Sequence, residues 1–374
     1  MAQYDVVVCG LGIMGSAALY HLARRGQRVL GIDRYPPGHD RGSSHGETRV
    51  IRLAYFEHPS YVPLVRRAYA LWRELETEAA RSLLHVTGIA EVGPPDGALV
   101  KGTLAAARLH DIPHELLAAS ELMRRYPAFR LPPHFVGVVQ PHGGFLEAEA
   151  SVQSLLALAQ KHGAEIRTGA SVRAIEPAND IARVVTDAVT IEAGTAIVAA
   201  GPWVRSLLPG ATLPLRVTRQ AMAWFAPREP AHFAPGRFPV FLIESDHGIH
   251  YGFPPFGAGL KVAKHHHADE TVDPDLYDRS ISAADEALIR AALADHLPGA
   301  NGPLVDAKTC LYTGTPDGDF VIDRLPGAAS IVVASPCSGH GFKFAPAIGE
   351  ILADLADGVP PRHDITRFRI GRFG

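Results

Sequence analysis

Apolar positions fall into short β-branched runs separated by stretches with helical spacing. Tyr4-Asp5-Val6-Val7-Val8-Cys9 has the character of a buried parallel strand. Ser16 to Arg25 reads as a helix closed by Gly26, and Arg28 to Ile32 as a second strand that ends at Asp33. Residues 36–49, rich in Gly, Pro and Ser, are neither helical nor strand-like. A long helix follows, with Val62, Val65, Tyr69, Trp72 and Leu75 spaced along one face. Ala148 to His162 is an amphipathic helix leading to short strands at Glu165 to Arg167 and Val172 to Ile175. An acidic stretch then reads as loop, before a buried strand from Thr195 to Gly201. Ser330 to Ala334 is another buried strand, followed by Pro336 to Gly341 and a helix from about Phe344 to Asp357.

These later strands read as elements returning to the first sheet, so the lobe they build is discontinuous: residues 1–85, 148–212 and 313–374. The intervening residues 86–147 and 213–312 differ in pattern. Alternating segments such as Ala221 to Phe225 and Gly248 to Phe253, broken by Pro and Gly, predict a mainly antiparallel sheet. The expected architecture is therefore an α/β lobe joined to an α+β lobe, which suits a chain of 374 residues.

A formal charge of −3 without long charged runs argues against nucleic acid or an anionic membrane as partner. Three scattered cysteines make neither a disulfide framework nor a zinc cluster. No apolar stretch approaches the ~20 residues needed to span a bilayer. The first strand begins at Tyr4, leaving no room for a signal peptide, and a reducing cytoplasm is the expected location.

Gly10-Leu11-Gly12-Ile13-Met14-Gly15 stands between the first strand and its helix, with Asp33 at the end of the next strand. That order is the dinucleotide fingerprint. Gly10 makes the tight turn, Gly12 admits a pyrophosphate, and Gly15 lets the helix pack on the strand with its amino end toward the anion. Asp33 is the candidate ribose acceptor, and Ile13, Met14 and Arg34 are candidate cofactor contacts. A classical NAD domain would next add another βαβ unit. The irregular 36–49 segment stands there instead, which favours FAD.

Several segments, taken together, resemble the monomeric sarcosine oxidase and N-methyltryptophan oxidase family. They are Gly10 to Gly15, Gly42-Ser43-Ser44-His45-Gly46-Glu47-Thr48-Arg49-Val50-Ile51-Arg52, and His250-Tyr251-Gly252-Phe253-Pro254. Gly259-Leu260-Lys261 with His265, Thr309-Cys310-Leu311-Tyr312-Thr313, and Ser338-Gly339-His340-Gly341-Phe342-Lys343-Phe344 complete the set. They occur in family order and span essentially the whole chain. One departure is Cys337, where the family pattern has an aromatic residue.

The resemblance implies a glutathione-reductase-like, Rossmann-type FAD lobe covered by a substrate lobe. It further implies oxidation of a secondary amine to an imine, with oxygen reduced to peroxide, in a monomeric enzyme. Cys310 would carry the flavin through a thioether, where the residue alone reads as a small core cysteine. Arg52 and Lys343 would bind the carboxylate of an amino-acid substrate; otherwise Arg52 would pair with Glu47 or Glu57. Lys261 would promote the reaction with oxygen, unless its side chain faces outward. Ser43, Ser44, His45 and Arg49 would lie beside the flavin, as would Gly339, His340, Gly341 and Lys343. That last group puts a cation and a helix amino end where charge develops on reduction. Tyr251, His265 and Tyr312 would line the substrate cavity.

His265, His266 and His267 are consecutive, but on a strand they would face opposite ways, so a metal is not expected. Two alternatives stay open: a flavin dehydrogenase, or an oxidase of pipecolate, proline or a fructosyl amino acid. A flavoprotein without turnover is the third, disfavoured by the cation set Arg52, Lys261 and Lys343.

Overall fold

The computed structural model describes residues 2–234 and 236–374. Tyr4–Cys9 lies at the centre of the first sheet, parallel to Val29–Asp33 on one side and to Thr190–Val198 on the other. Glu165–Thr168 extends the sheet beyond Val29–Asp33, and Ala328–Ser335 pairs in parallel with the carboxyl half of Thr190–Val198. Val6 to Cys9 are buried on both faces, which is why they read as one continuous apolar run. Helix Ile13–Arg24 packs against both Ala148–Lys161 and Ala345–Ala356 beside this sheet. The first and last approach so closely that a Cβ on Gly349 would come within 2.6 Å of the Ala17 backbone. Helix Tyr61–Ala79 buries Val62, Val65, Trp72 and Leu75, while Tyr69 is only half-buried.

The strand expected at Val172 to Ile175 is present and runs on to Ala178, and the acidic stretch after it, read as loop, is instead strand and completes a β-hairpin. Val172–Ala178 pairs antiparallel with Ile181–Thr186, which pairs in turn with the start of Thr190–Val198. Ala182, Val184, Ile191 and Ala193 face the core, whereas Glu176, Arg183 and Glu192 are exposed. One wet face gave the segment its polar composition, and the alternation beneath it was the strand signal.

Among the described residues the second sheet has eight strands. Ile89–Gly93, Glu115–Ala118 and Val136–Gln140 form one part; Arg216–Phe225, Val240–Ser245, Gly248–Gly252, Leu260–Lys264 and Leu304–Gly314 form the other. Neighbours are antiparallel, except where Val240–Ser245 joins Ile89–Gly93 in parallel. Its core is aromatic, with Phe129, Phe225, Phe233, Phe238 and Phe241 buried together. A small third sheet, Thr48–Ile51, Gly144–Glu147 and Leu84–Val86, carries the segment that follows residues 36–47. Among the described residues no helix is long and apolar enough to cross a membrane.

Candidate active site

A cavity of about 410 Å³ runs from the Gly10 turn to the second sheet. At its first end Gly10 has φ +93°, and a Cβ there would meet Ala200 Cα at 2.6 Å. On Gly15 a Cβ would stand 1.8 Å from the Gly10 carbonyl oxygen, so the helix reaches this depth only without a side chain. Gly12, Ile13 and Met14 line the wall, and the Ile13 amide donates to Ser44 Oγ at 3.1 Å. The Asp33 carboxylate borders the cavity and accepts from the amides of Leu11 and Tyr35, at 2.6 and 2.8 Å. Arg34 also lines it, paired at 2.8 Å with Asp275.

The middle is formed by the 42–49 segment. Ser43 Oγ donates to the Leu311 carbonyl at 2.5 Å, tying the segment to the strand that bears Cys310. The Arg49 guanidinium donates to the carbonyls of Thr48, Ser43 and His45 and stands 3.8 Å from Cys310 Sγ. Burial raises the Cys310 thiol pKa while Arg49 pulls it down, the net effect being upward. The Glu149 carboxylate, reaching from a neighbouring helix, accepts from the amides of Gly46 and Glu47.

At the far end stand Arg52, Tyr251, His265, Tyr312, Gly339, His340, Gly341 and Lys343. Lys343 Nζ donates to the His340 carbonyl at 2.6 Å and to Tyr55 Oη at 3.2 Å. Burial, then Arg52, lowers its pKa to about 7. Burial likewise leaves His265 at about 3 and His340 at about 4, so both are neutral at pH 7. Tyr251 and Tyr312 are raised by burial and stay protonated.

Arg52 is 2% exposed, and Nη2 donates to both oxygens of Glu57 at 2.6 and 2.8 Å. Of the two carboxylates weighed as its partner, Glu57 is the one present. Glu47 is engaged elsewhere, accepting from Trp224 Nε1 at 2.7 Å and from the Ala258 amide at 3.1 Å.

Gly15, His45 and Lys261 stand behind the cavity wall and not on it. Lys261 does not face outward. It is 2% exposed, and Nζ donates to the carbonyls of Gly46 and Thr48 at 2.6 and 2.8 Å, between the rings of Trp224 and Phe253. Burial, then Arg49, brings its pKa well below the usual lysine range. His45 is buried, and burial followed by Arg49 lowers it to about 3. The three consecutive histidines occupy a turn and not a strand: His265 lines the cavity, His266 is exposed, and His267 bonds to Asp285 at 2.9 Å.

Sequence reasoning named Glu57 only as an ion-pair partner for Arg52, and it missed Tyr35, His39, Trp203 and the segment from Ala170 to Arg173; all are on the wall. It passed over Cys337, which lines the cavity too. A signal existed for Trp203 and for Ala170 to Arg173. Each follows the carboxyl end of a parallel strand, where open α/β sheets place their ligands. The glycine turn, Asp33 and the cations at the opposite end fit a flavin dinucleotide in orientation and in chemistry.

The comparisons agree with this geometry. The chain is 38% identical over 376 residues to "Monomeric sarcosine oxidase" of Bacillus sp. (strain NS-129), covering 99% of this chain and 97% of that protein. It is 38% identical over 375 residues to "N-methyl-L-tryptophan oxidase" of Salmonella typhi, with 99% of each chain covered. Among solved structures, NikD, described as an unusual amino acid oxidase essential for nikkomycin biosynthesis, superposes with a TM-score of 0.86 at 29% identity. That match covers 98% of this chain and 97% of NikD. The sequence pattern of the family described as "FAD dependent oxidoreductase" matches residues 5–355, and the chain belongs to that family.

Proposed function

We propose that this enzyme oxidises the secondary amine of a small N-substituted amino acid, such as sarcosine or N-methyltryptophan, with oxygen as final acceptor. The observation that carries the reading is the pair of buried cations, Arg52 and Lys343, at the end of the cavity opposite the glycine turn. Two cations at one end suit the carboxylate of an amino acid. Tyr251, Tyr312 and His265 beside them leave an uncharged space for its amine and N-substituent.

Bound FAD supplies a two-electron acceptor for the carbon–nitrogen bond. The residues that would hold it are Gly10, Gly12, Ile13, Met14 and Asp33 at one end, and Ser43, Ser44 and Arg49 along the middle. Gly339 to Gly341, with Lys343, would meet the other end. Cys310 would carry a covalent link, and Arg49, 3.8 Å from its sulfur, offsets part of the burial that otherwise disfavours the thiolate such a bond needs. Lys261 acts through the 46–48 backbone it holds and as a buried positive centre for the reaction with oxygen. The protein's remaining tasks are to orient the donor carbon and to receive the amine in its unprotonated form, beside His265, Tyr251 and Tyr312, which bear no charge.

The same reading assigns residues 1–85, 148–212 and 313–374 to the FAD lobe, and 86–147 and 213–312 to the substrate lobe. Membership of the two large sheets supports that division. A monomer is the proposed state, in line with the relatives named monomeric sarcosine oxidase.

The test is anaerobic titration of the purified protein with sarcosine, other N-methyl amino acids, proline, pipecolate and fructosyl-glycine. Bleaching of the flavin band by one of the N-methyl compounds supports the reading. Bleaching by none of the series refutes it. Bleaching followed by no oxygen uptake would identify a dehydrogenase.

A further inference from the structure

Arg52 cannot present a fork to a substrate while Glu57 holds it. A guanidinium offers a carboxylate two parallel N–H bonds through Nη1 with Nη2, or through Nε with Nη2. Both faces use Nη2, and Nη2 is taken by the two oxygens of Glu57. Nη1 also donates to the Ala54 carbonyl at 3.0 Å, and Nε lies 3.5 Å from Glu91 Oε1. The guanidinium is further sandwiched near Tyr55 and Phe56, 4.2 and 4.7 Å from their ring centres, so it has little freedom to turn away.

The two carboxylates around Arg52 differ in what holds them. Glu91 sits on the strand Ile89–Gly93 with a fully buried side chain, and its Oε2 accepts from Gln140. Burial raises its pKa to about 7, with Arg52 opposing. Glu57 lies in the loop between Thr48–Ile51 and Tyr61–Ala79, borders the cavity, and leaves 18% of its side chain exposed. Burial raises its carboxyl pKa too, but Arg52, His340 and Lys343 outweigh that and bring it to about 2. It is therefore an ionised carboxylate already seated among the cations assigned to the substrate.

We propose that Glu57 is an exchangeable internal counter-ion that occupies the substrate-carboxylate site and is displaced by the substrate, while Glu91 is the fixed partner that keeps Arg52 in place. This rests on the assignment of Arg52 to the substrate carboxylate. Exchange keeps one ionised carboxylate on Nη2 before and after binding, so the buried charge is unchanged by the swap. Holding all three carboxylates together would add an unpaired negative charge to a buried site. Substrate affinity is accordingly the difference between two carboxylates competing for one guanidinium, and compounds without a carboxylate have no means of opening the site.

The experiment is calorimetric titration of the holoenzyme with acetate, and with acetamide as the uncharged control, in wild type, Glu57→Gln, Glu57→Ala and Arg52→Lys. Removing the competitor should tighten acetate by about tenfold or more in both Glu57 variants and leave acetamide unaffected. Glu57→Asp, which keeps the charge, should restore wild-type-like acetate affinity. Unchanged or weaker acetate binding in both Glu57→Gln and Glu57→Ala would overturn the proposal. If Arg52→Lys weakens acetate while the Glu57 variants do nothing, only the exchange is wrong. If Arg52→Lys leaves acetate untouched, the assignment of Arg52 falls and the exchange falls with it.

Discussion

Replacing Lys261 with methionine separates two tasks that the structure gives one side chain. The amine donates to the carbonyls of Gly46 and Thr48 from a position 2% exposed, and the substitution removes both bonds. Neither carbonyl is orphaned, because Gly46 keeps the Thr48 amide and Thr48 keeps Arg49 Nη1 as donor, each at 2.8 Å. Each lost bond then costs about 0.5–1.5 kcal/mol. Relief of the buried amine's desolvation and the good fit of a thioether near Trp224 and Phe253 offset part of this. The net loss should be about 1–2 kcal/mol. At roughly 2.1 cal/mol/K of unfolding entropy per residue, a chain of 374 residues should lose about 1–3 °C in Tm. A structural peg alone would disturb the 42–49 segment and slow every step that depends on it. A positive centre that serves oxygen would slow reoxidation far more than reduction, by about 10²-fold if it behaves like other single groups aimed at developing charge. Stopped-flow reduction by substrate without oxygen, followed by mixing the reduced protein with oxygen, reads the two steps apart. Equal slowing of both would refute the role in the oxygen reaction and leave Lys261 as a peg.

Cys310→Ala should yield protein whose yellow colour passes entirely into the supernatant on acid precipitation, whereas wild type keeps it in the pellet; release from wild type would exclude the covalent link. Lys343 is charged below about 7 and neutral above, so acetate should bind more weakly as pH rises through that value. Glu91, ionising in the same range beside Arg52, acts in the same direction. Lys343→Met should flatten most of the dependence measured by calorimetry, and an undiminished slope in that variant would assign it to Glu91. Gly341→Ala should abolish stable flavin binding, because the added Cβ would stand 1.6 Å from the Pro336 carbonyl oxygen and the loop must move. A flavin content and Tm equal to wild type would contradict that packing.

The βαβ start of the first lobe was legible because its signals are local: three glycines at fixed spacing, an acid at a strand end, and helices with one apolar face. Those features depend on backbone sterics and on periodicity, which neighbouring residues determine. The second arm of the 172–186 hairpin, Ile181–Thr186, was hidden because a half-wet strand has the composition of a loop. The partners of the site residues were less accessible still. The motif around Arg52 could name a carboxylate binder, and Glu47 and Glu57 were equally near in sequence. Only the folded chain turns Glu47 toward Trp224 and Ala258 and leaves Glu57 on the guanidinium. Glu91 arrives on a strand of the second sheet, and no local pattern marks it as a counter-ion. The amino-acid order by itself determined the glycine turn, the main helices and which cations are available. The tertiary structure decided which of those cations are buried, what neutralises them and where their pKa values settle, because burial and charge pairing are properties of the space between segments that meet only in the fold.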